Sequence, residues 1–238
     1  MKKIIIIGAS SGIGRELARI YAAKGNRVGI TGRRLDLLLE FQTEFPDQLV
    51  VESFDVMGDQ NIAHLENLIQ KLGGLDLLIY NSGYGEISDS LDWEIEKKTV
   101  DTNVNGFIEI TAYGFNYFLK QGNGHLVAIS SIGSIRGNSM APAYSASKSF
   151  QSNYLEGLHM RLKKLKSKVR VTDVQPGFVD TKMGKGNKMF WVAPVHKAAE
   201  QITDAISAGK WRAYITRRWW LIAKIMDWIP NFIYHKMA

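Results

Sequence analysis

Residues 3–18 read KIIIIGASSGIGRELA: an unbroken isoleucine run, three glycines within seven residues, then a helix-like stretch. A strand without a polar position is covered on both faces. The turn that follows needs backbone free of side-chain obstruction, and it leads into a helix whose first N–H groups attract an anion. The alternation then repeats along the chain. Short apolar runs predict strands at Lys3–Ile7, Arg27–Thr31, Leu49–Ser53, Leu75–Tyr80, Gly124–Ser130, Lys168–Gln175 and Trp211–Ile215. Helix-like stretches separate them at 12–24, 34–44, 59–72, 92–120, 143–166 and 194–208. This order predicts an α/β fold: one doubly wound parallel sheet of about seven strands, helices on both faces, right-handed crossovers. No linker, repeat or low-complexity segment interrupts it, so residues 1–238 are expected to form a single domain.

Composition narrows the chemistry. At 45% hydrophobic and 22% charged residues the chain is ordinary globular material. Without cysteine it has no disulfide framework, thiolate metal site or cysteine nucleophile, which fits a cytoplasmic setting. No metal site is expected. The run Ile4–Ile7 is too short for a signal-peptide core, and no stretch reaches the roughly 18–20 apolar residues of a bilayer span. The net charge of +7 suits an anionic partner. No zinc-finger pattern or basic-aromatic repeat points to nucleic acid, which is not expected as a partner.

The glycines Gly8, Gly12 and Gly14 are spaced G-x-x-x-G-x-G, with Ser10 and Ser11 as added hydroxyl donors and Ile13 between the last two. The pyrophosphate of a dinucleotide fits such a cradle; the competing view is a glycine-rich turn without function. The loop resembles the cofactor loop of the short-chain dehydrogenase/reductase (SDR) family, which implies a Rossmann-type domain that binds a nicotinamide dinucleotide. That family usually has Thr where this chain has Ile7.

The second strand ends in GITGRRLD. An acid at that point would bind the ribose 2′-hydroxyl of NAD, whereas an Arg accommodates the 2′-phosphate of NADP. Gly32 stands there, followed by Arg33 and Arg34, and Asp36 lies a turn into the helix. A guanidinium pairs with phosphate through charge-assisted hydrogen bonds. NADP(H) is therefore expected over NAD(H), with Arg33 as the main contact and Arg34 as support; the bland alternative is an exposed helix start. The resemblance adds Asp55 and Val56 at the adenine. It also adds Asn81 and Gly83 of YNSG, where Tyr80 and Ser82 depart from the family's Asn-Asn-Ala-Gly. After the sixth strand, QPGFVDTKM looks like the family's nicotinamide loop, giving Pro176, Gly177, Val179 and Thr181. The resemblance covers residues 3 to about 181.

Tyr144 and Lys148 in PAYSASK share one face of a predicted helix that Pro142 opens. A phenol with a pKa of about 10 makes a plausible proton donor, and a cation nearby would lower that value. Ser131 lies thirteen residues before Tyr144, at the end of the fifth strand, with Ser130 and Ser134 as less favoured neighbours. Family order and spacing imply a catalytic set of Asn103, Ser131, Tyr144 and Lys148. Tyr144 and Lys148 also contact the cofactor. Ser131 polarises a carbonyl, Tyr144 protonates it, and Lys148 tunes Tyr144 and anchors ribose. Asn103 holds a helix kink and orders a relay water, with Asn105 as the alternative at that position.

Residues 183–193, MGKGNKMFWVA, are expected to form a substrate loop leading into a helix by 210, with Met183, Met189, Phe190 and Trp191 as an apolar wall. In the extension 217–238, aromatic and basic residues mix; from Lys210 onward there are six Lys/Arg and one acid. Such a tail either lies on a membrane surface or packs against its own or a partner subunit. The expected activity is NADP(H)-dependent transfer of hydride between the nicotinamide and a hydrophobic carbonyl or secondary alcohol, in a homodimer or homotetramer, cytoplasmic with possible membrane association. The alternatives are a non-catalytic NADP-binding sensor and an SDR-type epimerase or dehydratase.

Overall fold

The protein was analysed as a computed structural model, which describes residues 1–181 and 190–237. Seven strands form one sheet: β1 (Lys3–Ile7), β2 (Arg27–Gly32), β3 (Leu49–Ser53), β4 (Leu77–Tyr80), β5 (His125–Ile129), β6 (Arg170–Pro176) and β7 (Arg212–Ile215). Their order is β3-β2-β1-β4-β5-β6-β7, and every neighbouring pair is parallel. The expected doubly wound sheet is thus present.

β1 shows why its sequence is uniformly apolar. Ile4 and Ile6 pack into the core beneath one face, with Leu17, Leu38 and Ile202; Ile5 and Ile7 pack into the core of the other, with Leu65, Phe107 and Leu155. All four isoleucines are fully buried, each contributing roughly 1.5–3 kcal/mol. Helices α1 (Gly12–Ala23), α2 (Leu35–Gln42) and α7 (Val195–Ser207) supply the first core. Helices α3 (Asn61–Leu72), α5 (Gly106–Gln121) and α6 (Pro142–Lys164) supply the second.

Two stretches differ from expectation. The segment 92–120 is not one helix: α4 (Trp93–Val100) ends in a π-helical turn at Asp101–Asn105 before α5 begins. Gly106 allows the offset, since a Cβ there would lie 2.4 Å from the Val56 carbonyl oxygen. The buried Tyr80 hydroxyl donates to the Thr102 carbonyl at 2.7 Å and fixes the turn. The C-terminal extension folds as α8 (Trp219–Trp228) and α9 (Asn231–Met237), parted at Ile229-Pro230, where proline disfavours helix in the preceding residue. Most of the expected substrate loop, including Met183 and Met189, lies outside the described residues; Phe190 and Trp191 lie within them.

Candidate active site

Strand order reverses between β1 and β4, and the crevice beyond the strand C-termini at such a switch point is where α/β sheets bind ligands. Among the described residues, the strand-end loops singled out in the sequence come to this edge. After β1, Gly8 and Gly12 adopt positive φ (86° and 59°), a region open mainly to glycine. At Gly14 a Cβ would lie 2.1 Å from the Gly8 carbonyl oxygen and 2.5 Å from Asn81 Nδ2. Asn81 Nδ2 donates to that same carbonyl at 2.7 Å, so Asn81 ties the end of β4 to the glycine loop. Where the family has Thr at position 7, Thr31 anchors the loop instead: its Oγ1 accepts from Gly8 N at 3.3 Å.

At the end of β2 the two arginines differ. Arg34 donates to Ser10 Oγ (2.7 Å) and Ser11 Oγ (2.9 Å), so the serine pair and a guanidinium form one donor cluster. Arg33 is exposed and loosely paired with Asp55 at 3.7 Å. Gly32 lies against Ser10, where an added Cβ would stand 3.3 Å from Ser10 Cβ. Val56 is buried beside Gly106. Thr181 reaches over the glycine loop, its Cγ2 standing 3.4 Å from where a Gly12 Cβ would be. Val179 bridges Ala193 through the flanking Phe178 O and Asp180 N, which turns its own peptide groups the other way. Glycine is required at 177 because the Trp219 indole covers it; a Cβ there would be 2.0 Å from the ring.

The four residues expected to act together converge. Ser131 and Tyr144 both border Gly133, whose Cβ would stand 3.4 Å from Ser131 Oγ and 3.6 Å from Tyr144 Cε1. Ser130 is engaged below, donating to Asp173 and to Val174 O, which separates it from its neighbour Ser131. Ser134 lies in the 3₁₀ turn that follows Ser131 and accepts from Ser149 through its carbonyl. The Tyr144 ring rests on Gly85, where any side chain would strike it (Cβ to Cδ2 2.3 Å). Asn103 is fully buried in the π turn. Its amide clasps Tyr84 from both sides, accepting from Tyr84 N at 2.8 Å and donating to Tyr84 O at 2.7 Å, and donates to Ser147 Oγ at 2.9 Å. Asn105 bonds only to Asp101 at the surface, so Asn103 is the member facing the site.

Lys148 is buried, and its Nζ donates to Ile129 O and Gln151 Oε1, each at 3.0 Å. The missing Cβ of Gly83 opens a path to it, since an atom there would be 3.4 Å from Nζ and 3.6 Å from Asn103 Oδ1. The Asn103 carbonyl accepts from Gln151 Nε2 at 2.8 Å. Gln151 therefore spans Lys148 and the π turn with both ends of its amide. Lys148 Nζ lies 5.9 Å from the Tyr144 ring centroid. Burial pushes the phenol above its ordinary value, and the nearby Ser131 hydroxyl pulls it partway back. Burial also brings Lys148 down to about 8, opposed by the charge of Asp173.

The sequence singled out neither Gln151, Gly85 nor Asp173. Gln151 was findable as the i+3 neighbour of Lys148 on the same helix face. Asp173 was findable as an acid inside a strand whose two faces are covered. Fully buried, Asp173 accepts from Ser130, from Ser152 (2.7 Å), from Gln175 (2.8 Å) and from Arg212 (3.2 Å). Gly85 carries no local signal, because its role depends on where the Tyr144 ring lands. Beside the site, Phe178, Phe190, Trp191 and Trp219 form an aromatic cluster with neighbouring centroids 5.2–6.1 Å apart. Phe190 and Trp191 of the expected substrate loop thus meet Trp219 of the C-terminal extension here.

A family model described as short chain dehydrogenase matches residues 2–189. A protein of Myxococcus xanthus described as an uncharacterized oxidoreductase is 33% identical, over 98% of this chain and 95% of its own. The crystal structure of a 3-ketoacyl-ACP reductase from Sinorhizobium meliloti shares 25% identity at a TM-score of 0.78, covering 90% of this chain and 96% of that one. A short chain dehydrogenase from Burkholderia cenocepacia, crystallised in complex with NADP, has the same fold at a TM-score of 0.85 and 20% identity, covering 100% of this chain and 97% of that one. With the switch-point loops, the buried lysine and the tyrosine–serine pair brought together as described, these matches identify the chain as an oxidoreductase of the short-chain dehydrogenase family, acting on the CH–OH/C=O pair.

Proposed function

We propose that the chain is an NADPH-dependent reductase of apolar ketones or aldehydes. The observation that carries this is the meeting of Ser131, Tyr144 and Lys148 at one end of the sheet, opposite a glycine loop flanked by arginines. The residues fit the cofactor. Gly8 and Gly14 keep side chains away from the loop, Gly83 leaves access to Lys148, and Gly32 keeps a carboxylate from the serine–arginine cluster. When bound, the nicotinamide supplies hydride to the carbonyl carbon.

The chain's own residues handle the oxygen. Ser131 Oγ would donate to it and stabilise the charge that develops. The Tyr144 hydroxyl gives its proton to that oxygen, so the carbonyl becomes an alcohol and Tyr144 is left as phenolate. Burial favours the protonated phenol, the form a reductase needs before each turnover. Lys148 spends two N–H groups on Ile129 and Gln151, which leaves one for a ribose hydroxyl. The aromatic cluster beside Gly177 supports an apolar substrate.

The cofactor preference is tested by following NADPH and NADH oxidation at saturating carbonyl, over ketones and aldehydes of rising apolar size. NADPH is expected to be the better donor. Arg33→Glu should raise the KM for NADPH by about tenfold or more, with a far smaller effect on NADH, because one charge-assisted phosphate contact contributes roughly 1.5–3 kcal/mol. Equal use of NADH by the parent chain would overturn the preference.

Gln151 gives a pH test with opposite signs. Lys148 loses its proton as pH rises through about 8, so kcat/KM for NADPH, which reports the free enzyme, should fall above that pH. Gln151→Glu sets a carboxylate beside the ammonium and should move this limb up by about one unit or more. Gln151→Leu removes a hydrogen-bond acceptor and should move it down. Limbs that stay put in both variants would detach Lys148 from the profile.

A further inference from the structure

The last two helices carry an apolar surface that the fold leaves uncovered. Trp219 and Ala223 of α8 face inward, while Trp220, Leu221, Ile225 and Trp228 are exposed, Trp228 by 84%. Positions 220, 221, 224, 225 and 228 fall on one helix face, and Lys224 is its one polar member. Phe232 and Ile233 of α9 are likewise exposed. Arg217, Arg218, Lys224 and Lys236 are exposed around them, against one exposed acid, Asp227.

This surface is built into the domain. Arg136, in the segment that follows Ser131, donates to Met226 O (2.9 Å), to Asn231 Oδ1 (2.7 Å) and to Ile229 O. The Tyr234 hydroxyl donates to Gly137 O at 2.7 Å. The junction of α8 and α9 is therefore pinned to the same segment that carries the site serine.

We propose that the α8–α9 face docks on an anionic phospholipid surface. Tryptophan and phenylalanine beside basic residues suit the boundary between headgroups and acyl chains, and a lysine within the apolar face can extend its ammonium to the headgroups. A helix of ten residues is about 15 Å long, half of the roughly 30 Å of a bilayer core, so it lies on the surface. Among the described residues no helix is long and apolar enough to cross a membrane. A second copy is a poorer occupant: in a two-fold dimer the patch meets itself and sets cations against cations.

Flotation of the full chain with vesicles of phosphatidylcholine, or of phosphatidylcholine and phosphatidylglycerol in equal parts, tests this. Binding to the mixed vesicles is expected to be about tenfold or more stronger, and to weaken in about 1 M salt, where screening acts within about 3 Å. The double variant Trp220→Glu, Trp228→Glu should lose binding to both. Arg217→Glu with Lys224→Glu should lose the preference for the anionic vesicles. All four positions are exposed, and an unchanged melting temperature certifies that each variant folds. A parent chain that binds neither vesicle, or a folded tryptophan variant that floats like the parent, overturns the membrane assignment. So does a variant that turns an oligomeric parent into a monomer without altering flotation, which would make the face an interface between copies. Carbonyl turnover by the same variants, measured without vesicles, keeps docking separate from catalysis.

Discussion

Tyr144→Phe is expected to lower NADPH-dependent carbonyl reduction by about a thousandfold while leaving NADPH affinity within about threefold. Phenylalanine keeps the ring that rests on Gly85 and deletes the hydroxyl, so the change removes the acid and little else. The loss should fall on kcat and on kcat/KM alike, the pattern of an interaction made in the transition state. Steady-state kinetics measure the first effect, and cofactor titration by fluorescence measures the second. A variant that still turns over within about tenfold of the parent would remove Tyr144 from the acid role. If the parent itself reduces no carbonyl on a broad panel yet binds NADPH, the sensor alternative gains. Product formed without net NADPH consumption would favour an epimerase or dehydratase.

Asp173→Ala is expected to cost about 3–5 kcal/mol of stability, the range for breaking a buried charge pair by removing one partner. The carboxylate is fully buried and collects donors from the residue after β5 and from α6, β6 and β7: Ser130, Ser152, Gln175 and Arg212. Alanine would leave these groups facing each other without an acceptor, and each unsatisfied buried donor carries its own penalty. For a domain of this size the loss corresponds to a fall in melting temperature of roughly 10 °C. Thermal and urea unfolding measure it, with Asp204→Ala, an exposed acid on α7, as a control expected within about 0.5 kcal/mol of the parent. A melting temperature within 2–3 °C of the parent would mean that the network is dispensable. Asp173 also opposes the fall in the Lys148 pKa, so residual activity should lose its alkaline limb at lower pH.

How far the sequence led depended on the range of the interaction involved. The Gly8–Gly14 loop was legible because a tight turn restricts φ and Cβ within a few residues, and positive φ at Gly8 and Gly12 repeats that local logic in three dimensions. Choosing Ser131 over Ser130 rested on spacing alone; the structure adds that Ser130 is consumed by Asp173. The break at Asp101–Asn105 was only half legible. An asparagine in a helix is unfavourable by propensity, but the offset needs the Val56 carbonyl and the Tyr80 hydroxyl, which approach from elsewhere in the chain. The bond from Gln151 to the Asn103 carbonyl was not legible, because it joins the π turn to α6, elements far apart in the chain.

The sequence by itself determined the parallel architecture and the order of the strand-end loops. Hydrophobic periodicity and glycine sterics act over a few residues, and β1 needs no distant partner to declare that both its faces are covered. Only the tertiary structure decided which groups meet: Gln151 with the Asn103 carbonyl, Asp173 with four donors, and Trp219 over Gly177. Hydrogen bonds and ion pairs act at about 3 Å between residues tens of positions apart, so no local pattern can specify them.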